Sequence, residues 1–155
     1  MRPGLAGAAA LLLWHAVIPC RAASLMATAQ QRAQDGDVAG AARAARSASE
    51  VRPGDPDPQA FLAQLVLVHH MADPALRRSG EVAAERALCL DPEQAVLHHT
   101  RALYHAAAGE IAAAYREERR AHQLFPLKPE YRRFASGDPG ATGEPGVPGG
   151  TQVER

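Results

Sequence analysis

The pattern of hydrophobic and polar positions divides the chain into three parts. An apolar run extends from Leu5 to Ile18 with only His15 inside it. From about residue 22 to residue 135, small and apolar residues recur at helical spacing among polar ones. From Ser136 to Arg155 glycine and proline prevail, and large apolar residues are almost absent. The pattern predicts a leading apolar helix, a domain of amphipathic helices, and a tail that cannot bury enough apolar surface to fold.

The first 22 residues have the layout of a secretory signal peptide. Arg2 provides a positive start, the apolar run follows, and Ala22 and Ala23 provide small residues at the junction. As a helix the run would extend roughly 21 Å, which is less than the roughly 30 Å core of a bilayer. We therefore predict a cleaved signal peptide at residues 1–22, with an uncleaved membrane anchor through residues 5–18 as the alternative.

The middle part contains three copies of one pattern. In the first copy Gly36 is followed by small residues at Ala41 and Ala48, and Pro53 closes the copy. The other two copies keep the spacing from the small residues to the proline, with Gly80, Ala87 and Pro92 in the second and Ala114, Ala121 and Pro126 in the third. Small residues seven positions apart share one helix face and let neighbouring helices approach closely. The pattern predicts pairs of helices, each pair ending at its proline.

The turn inside each pair has its own signal. Gly36-Asp37 and Gly109-Glu110 place a helix-ending glycine before an acidic residue, which the positive N-terminal end of the next helix favours. In the second copy Asp73 is predicted to cap the helix and Pro74 to occupy its first position.

These features together resemble the tetratricopeptide repeat, a helix-turn-helix unit of 34 residues. Pro92 and Pro126 are 34 residues apart and Pro53 and Pro92 are 39 apart, so we place five extra residues in a loop at 56–60. The resemblance implies an all-α fold, a right-handed superhelix of antiparallel helix pairs. It implies a domain at 23–135 with repeats at about 22–55, 61–94 and 95–128 and a capping helix from 129. The glycine- and proline-rich composition of residues 136–155 predicts a disordered tail.

The resemblance also implies where a partner would bind. The small position of the three first helices falls on Ala29, Val68 and Ala102. In the family the first helices form a concave face that holds a peptide or a protein. The matching positions here are Leu62, Leu65, His69, Val96, His99 and Leu103.

Composition excludes several other classes of protein. Lysine plus arginine and aspartate plus glutamate both total 17, so the formal net charge is zero and no basic excess indicates nucleic-acid binding. The aromatic fraction of 5% is too low for a base-stacking platform. Cys20 and Cys89 form no disulfide framework, and we expect Cys89 to be a small buried residue between two leucines.

The search for chemistry finds no catalytic motif. The seven histidines include the pairs His69-His70 and His98-His99, but none has the three- or four-residue spacing that places two ligands on one helix face. The run from Glu117 to Arg120 is interpreted as a solvated helix face. We therefore predict no enzymatic activity, no cofactor and no metal site.

The predicted function is an interaction scaffold that binds a protein or peptide. The apolar leader predicts export to the periplasm or another extracytoplasmic compartment, or anchoring in the inner membrane. An alternative comes from the arrangement of an apolar helix at Leu5 to Ile18, followed at once by repeat-like helices that end in Leu124 to Tyr131. This arrangement resembles the C-terminal region of O-antigen ligase or polymerase membrane proteins, in which the apolar helix would be the last transmembrane helix. In that interpretation the chain would be a detached repeat region used in cell-surface polysaccharide assembly.

Overall fold

The computed structural model describes the backbone of residues 4–131 and the side chains of residues 18–131. Six helices follow one another in that range: α1 (Gly4–Gln34), α2 (Val38–Val51), α3 (Asp57–His69), α4 (Pro74–Leu90), α5 (Ala95–Ala107) and α6 (Ile111–Leu124). A further helical turn begins at residue 129 and reaches Tyr131, the last described residue. The described part is helical without strands, which confirms the predicted all-α class.

The turns inside the helix pairs have the predicted chemistry. Gly36 and Gly109 adopt positive φ angles of 81° and 80°, a conformation that costs glycine little. The Asp73 carboxylate accepts hydrogen bonds from the backbone N–H groups of Ala75 and Leu76, at 2.9 Å and 3.2 Å. Asp37 caps α2 by accepting from the N–H of Gly40 at 2.8 Å. These caps explain why α2 and α4 begin where they do, whereas the Glu110 side chain makes no capping hydrogen bond to α6.

The helices pack as three pairs, α1 with α2, α3 with α4 and α5 with α6. Neighbouring pairs meet where α3 lies against α2 and α5, and where α4 lies against α5. The core is formed largely by alanine, as the small-residue pattern predicts. All the predicted small positions of the second helices are buried, namely Ala41, Ala48, Gly80, Ala87, Ala114 and Ala121.

The extra residues of the second copy do not lie in a loop at 56–60, as the sequence predicted. Residues 57–60 belong to α3, and the added length lies around the turn to α4. Asp73 and Pro74 start α4 six residues before Gly80, whereas α6 starts three residues before Ala114. The cap and the N-terminal proline together extend α4 at its beginning.

Because α4 begins earlier relative to Gly80 than predicted, the repeat positions of α3 also lie earlier in the sequence than predicted. The small position of α3 is Ala63, which is fully buried, and not Val68, which is 73% exposed. The small positions predicted in the other two first helices, Ala29 and Ala102, are buried as expected. The sequence register was therefore right in copies one and three and wrong by five residues in copy two.

Helix α1 is continuous across the predicted junction at residues 22 and 23, and Ala22 is buried. Within the described range no helix is both long and apolar enough to cross a membrane.

Cys89 is exposed, which contradicts the expected burial. It follows Leu88 directly and so points about 100° away from that buried side chain. The predicted tail at 136–155 lies outside the described residues.

Replacement of Ala121 tests the close packing of the second helices. Ala121 has no exposed surface, so Ala121→Leu should overpack the site and lower the free energy of unfolding by about 1–3 kcal/mol. The matched control is Ala112→Leu at an exposed position of the same helix, expected to change stability by less than about 0.5 kcal/mol. Urea unfolding followed by circular dichroism measures both, and equal stability of the two variants would contradict the packing.

Candidate functional site

A groove of about 990 Å³ lies between α2 and α4, and α3 contributes part of its lining. Each wall presents one helix face, because the lining residues of α2 and of α4 recur every three or four positions. The α2 side includes Ala39, Ala42, Arg43 and Arg46, and the α4 side includes Arg78, Ser79, Val82 and Arg86. From α3 come Gln59, Leu62, Leu65 and Val66, and His70 follows directly after this helix.

The bottom of the groove is apolar and continuous with the core. Leu62 and Val66 are partly buried and pack against the cluster that contains Ala63, Ala83 and Tyr104. On the α4 side, Leu76 and Val82 are each 37% exposed. An apolar surface that remains partly open to water is the usual lining of a binding groove.

The rim of the groove is basic. Four arginines line it, against the single carboxylate of Asp37. Arg78 forms a surface ion pair with Glu81 at 3.1 Å. Asp37 is already engaged with Arg32 and with the backbone of α2. The three remaining arginines, Arg43, Arg46 and Arg86, are exposed and have no ion-pair or hydrogen-bond partner among the described residues.

Tyr104 of α5 supports the cluster beneath the groove. Its ring is buried, and its hydroxyl donates a 2.6 Å hydrogen bond to the carbonyl oxygen of Ala63 in α3. Burial raises the pKa of Tyr104 to about 12, and the negative charge of Glu81 acts in the same direction. A backbone hydrogen bond at Leu67 opposes this pKa shift. The hydroxyl is therefore protonated at neutral pH and fixes the distance between α3 and α5.

A second polar cluster joins α5 to α6. The two ring nitrogens of His98 face acceptors only, with Glu117 Oε2 at 2.7 Å from Nδ1 and the carbonyl oxygen of Pro92 at 3.0 Å from Nε2. Arg101 pairs with the other oxygen of Glu117 at 3.3 Å. Near the turn, His105 and Glu110 form another pair at 2.7 Å.

The pair formed by His99 and Glu118 is the most buried of this cluster. Nδ1 of His99 lies 2.8 Å and 3.1 Å from the two oxygens of Glu118, whose side chain is only 1% exposed. The ring of His99 also lies 5.1 Å from the ring of Tyr131, at the start of the next helical turn. The prediction that residues 117–120 form a solvated face is therefore wrong for Glu117 and Glu118. The missed signal is the equal spacing of 19 residues between the adjacent histidines and the adjacent glutamates.

Comparison with known proteins gives fold relatives only. No protein-family model matches the chain, and no curated protein matches its sequence. Among solved structures, the first TPR of Spaghetti (RPAP3), bound to the HSP90 peptide SRMEEVD, has a TM-score of 0.65 at 15% identity. That match covers 76% of this chain and 92% of the other. The chain has the fold of a tetratricopeptide repeat domain.

Two further structures share this TPR fold. The Yersinia enterocolitica type III secretion translocator chaperone SycD has a TM-score of 0.61 at 16% identity, over 75% of this chain and 84% of SycD. A mutant Thermobaculum terrenum O-GlcNAc transferase has a TM-score of 0.63 at 22% identity, over 77% of this chain and 22% of the transferase. The recognition of tetratricopeptide repeats from the sequence is thereby confirmed at the level of the fold.

The TPR fold brings only two of the six predicted binding residues into the groove, namely Leu62 and Leu65. His69 is exposed at the end of α3, and Leu103 is partly buried in α5. Val96 packs against the cluster formed by Ala60, Ala87, Leu88 and Leu97. His99 is held by Glu118. Partner binding by these residues stays a prediction.

The described side chains contain no cluster of three or more His, Cys, Asp or Glu residues that could hold a metal ion. The three His–Glu pairs lie along one helix hairpin, and each pair joins two segments of it. These three pairs therefore help to hold the segments of the α5–α6 hairpin together.

The raised pKa of Tyr104 predicts an alkaline loss of stability. The unfolded chain ionises this tyrosine near its usual pKa of 10.0, whereas the folded chain holds the proton until about pH 12. The proton therefore stabilises the fold fully below pH 10, and this contribution of about 2 kcal/mol disappears between pH 10 and 12. Unfolding free energies of the parent and of Tyr104→Phe should converge across that interval. A constant difference up to pH 12 would contradict the assignment.

Glu118→Ala tests the buried hydrogen-bonded contact between His99 and Glu118. Removal of the carboxylate leaves His99 without its partner, and we expect a loss of about 1–3 kcal/mol in unfolding free energy. Glu85→Ala at an exposed position of α4 is the control and should change little. Because the two residues form one pair, Glu118→Ala and His99→Ala combined should cost less than their sum. Additive losses in urea unfolding would show that the pair contributes nothing.

Proposed function

We propose that the chain is an exported or membrane-anchored TPR-fold scaffold that binds a segment of a protein partner and catalyses no reaction of its own. The observation that carries this proposal is the groove between α2 and α4. It combines an apolar bottom, partly open to water, with a rim of arginines. Leu62 and Leu65 are the predicted binding residues that this proposal retains.

The fold relatives support a partner of this class. The TPR of RPAP3 was solved with an HSP90 peptide bound, and SycD is a translocator chaperone. At 15% and 16% identity these proteins share the fold with this chain, and so they identify no partner for it. The proposed partner is therefore defined by its class, a protein or a peptide.

Export is proposed from the composition of the leader, and the repeat geometry is compatible with cleavage. Residues 23–34 of α1 would make a first helix of about the same length as α3 and α5, which have 13 residues each. Removal of residues 1–22 would thus leave three complete helix pairs. The alternative of a detached O-antigen ligase region has no support from the fold or from the comparisons, and we do not carry it forward.

Site-specific photo-crosslinking tests the scaffold. A photoreactive amino acid replaces Val82 in the groove or, as the control, Val68, which is exposed on α3 outside the groove. In cells that naturally produce the protein, we expect a discrete protein adduct at position 82 and none at position 68. Absence of an adduct at both positions, or equal adducts at both, would overturn partner binding in the groove.

An affinity-tagged form of the full chain tests export and membrane anchoring. Cell fractionation with intact-mass measurement should give either a soluble extracytoplasmic species that has lost residues 1–22 or a full-length species in the membrane. A full-length species in the cytoplasm would overturn export and anchoring while leaving the crosslinking result intact.

A further inference from the structure

The charge and shape of the α2–α4 groove define its occupant more closely. We infer that the groove binds an acidic amphipathic peptide segment, with apolar side chains against α3 and carboxylates against the arginines of α2 and α4. This inference rests on the proposed scaffold function and specifies the chemistry of the partner.

The first support is charge segregation. The chain as a whole is neutral, with 17 basic and 17 acidic residues. Four arginines and one aspartate nevertheless line the groove, which gives it a local excess of positive charge. Several acidic side chains are used elsewhere, since Glu110, Glu117 and Glu118 pair with histidines of α5. An anionic ligand would therefore be attracted to this groove.

The second support is the unused bonding capacity of the rim. Arg43 and Arg46 lie on α2 and Arg86 on α4, so both walls carry guanidinium groups that have no partner among residues 18–131. A guanidinium group binds a carboxylate through two parallel hydrogen bonds, which makes arginine a suitable residue for recognising acidic side chains. Carboxylates on both sides of a bound segment would have partners.

The third support is the apolar surface between the arginines. Leu76 and Val82 are partly exposed, and Leu62, Leu65 and Val66 line the groove from α3. A ligand that carried only charged groups would leave this apolar surface exposed to water. A segment with leucine-like side chains on one face would cover it, as an amphipathic helix does in a hydrophobic groove. A nucleic-acid backbone offers phosphates but no such apolar face, so the surface favours a peptide.

The groove lies on the side of the second helices, because α2 and α4 form its walls. The predicted concave face instead belongs to the first helices, and His99 and Leu103 do not line this groove. Binding here would leave the α5 surface available.

Fluorescence anisotropy with the full chain tests this inference. The probe is a fluorescein-labelled peptide of leucine and glutamate. Its leucines are spaced three and four residues apart in alternation, so that they would share one face of a helix. We expect saturable binding that weakens at high salt. A peptide with lysine in place of glutamate, and polyglutamate of the same length, should each bind about tenfold more weakly or worse.

Charge-reversed variants locate the binding site. Arg43→Glu combined with Arg86→Glu should weaken binding of the leucine–glutamate peptide about tenfold. The matched control combines Arg116→Glu with Arg119→Glu, two exposed arginines of α6 outside the groove, and changes the net charge equally. This control should weaken binding less than about twofold. Circular dichroism of both variants verifies that the helices remain folded.

The apolar contact has its own pair of variants. Val82→Asn should weaken binding, whereas Val68→Asn should not, since only Val82 lines the groove. Equal losses in the two arginine variants, equal affinity for polyglutamate, or no binding of the leucine–glutamate peptide would each overturn the inference. A crosslinked partner at position 82 combined with no binding of this peptide would reject the acidic chemistry alone and leave the scaffold function standing.

Discussion

The close approach of helices at positions without large side chains is the constraint on which the rest of the structure depends. It is clearest at Gly80, where an added Cβ atom would collide with the hydroxyl of Tyr104 and with Val66. Because that space is free, Tyr104 can reach the carbonyl oxygen of Ala63 and connect the second repeat to the third. Alanine buries little apolar area per residue, so an alanine core gains its stability from accurate fit more than from the amount of surface buried. The same cluster supports the bottom of the α2–α4 groove, which links the packing of the repeats to the candidate site.

Charged residues are used differently in the two halves of the described domain. In the α5–α6 hairpin, the carboxylates of Glu117 and Glu118 are partly or wholly buried and pair with histidines. His99, the partner of Glu118, also contacts Tyr131 in the next helical turn. The four arginines of α2 and α4 that line the groove are exposed beside apolar residues, and within the described part of the chain only Arg78 of these four has an ion-pair partner. The buried contact between His99 and Glu118 holds α5 against α6, whereas the guanidinium groups of Arg43, Arg46 and Arg86 keep their hydrogen-bonding capacity.

Much of the fold could be predicted from the sequence because its determinants are local. The turn glycines, the Asp73 cap and the small residues seven apart depend on short-range geometry, and the structure places them as predicted. The register of α3 could not be obtained in this way. The sequence pattern placed the five extra residues before α3, whereas the added length lies around the turn to α4 and at the start of α4. The groove arises from residues on three helices, and only Leu62 and Leu65 were identified in advance. The pairing of Glu118 with His99 depends on which faces of α5 and α6 meet. The sequence of residues 117–120 alone does not contain that information.

The proposed binding of a peptide by this TPR-fold chain takes place between its second helices. Hydrogen–deuterium exchange of the full chain, with and without the leucine–glutamate peptide, tests it most directly because exchange reports protection helix by helix. Binding in the groove should slow exchange in the segments of α2 and α4 that line it and leave α5 and α6 unchanged. Protection confined to α5 and α6, or no protection at any helix under saturating peptide, would contradict it.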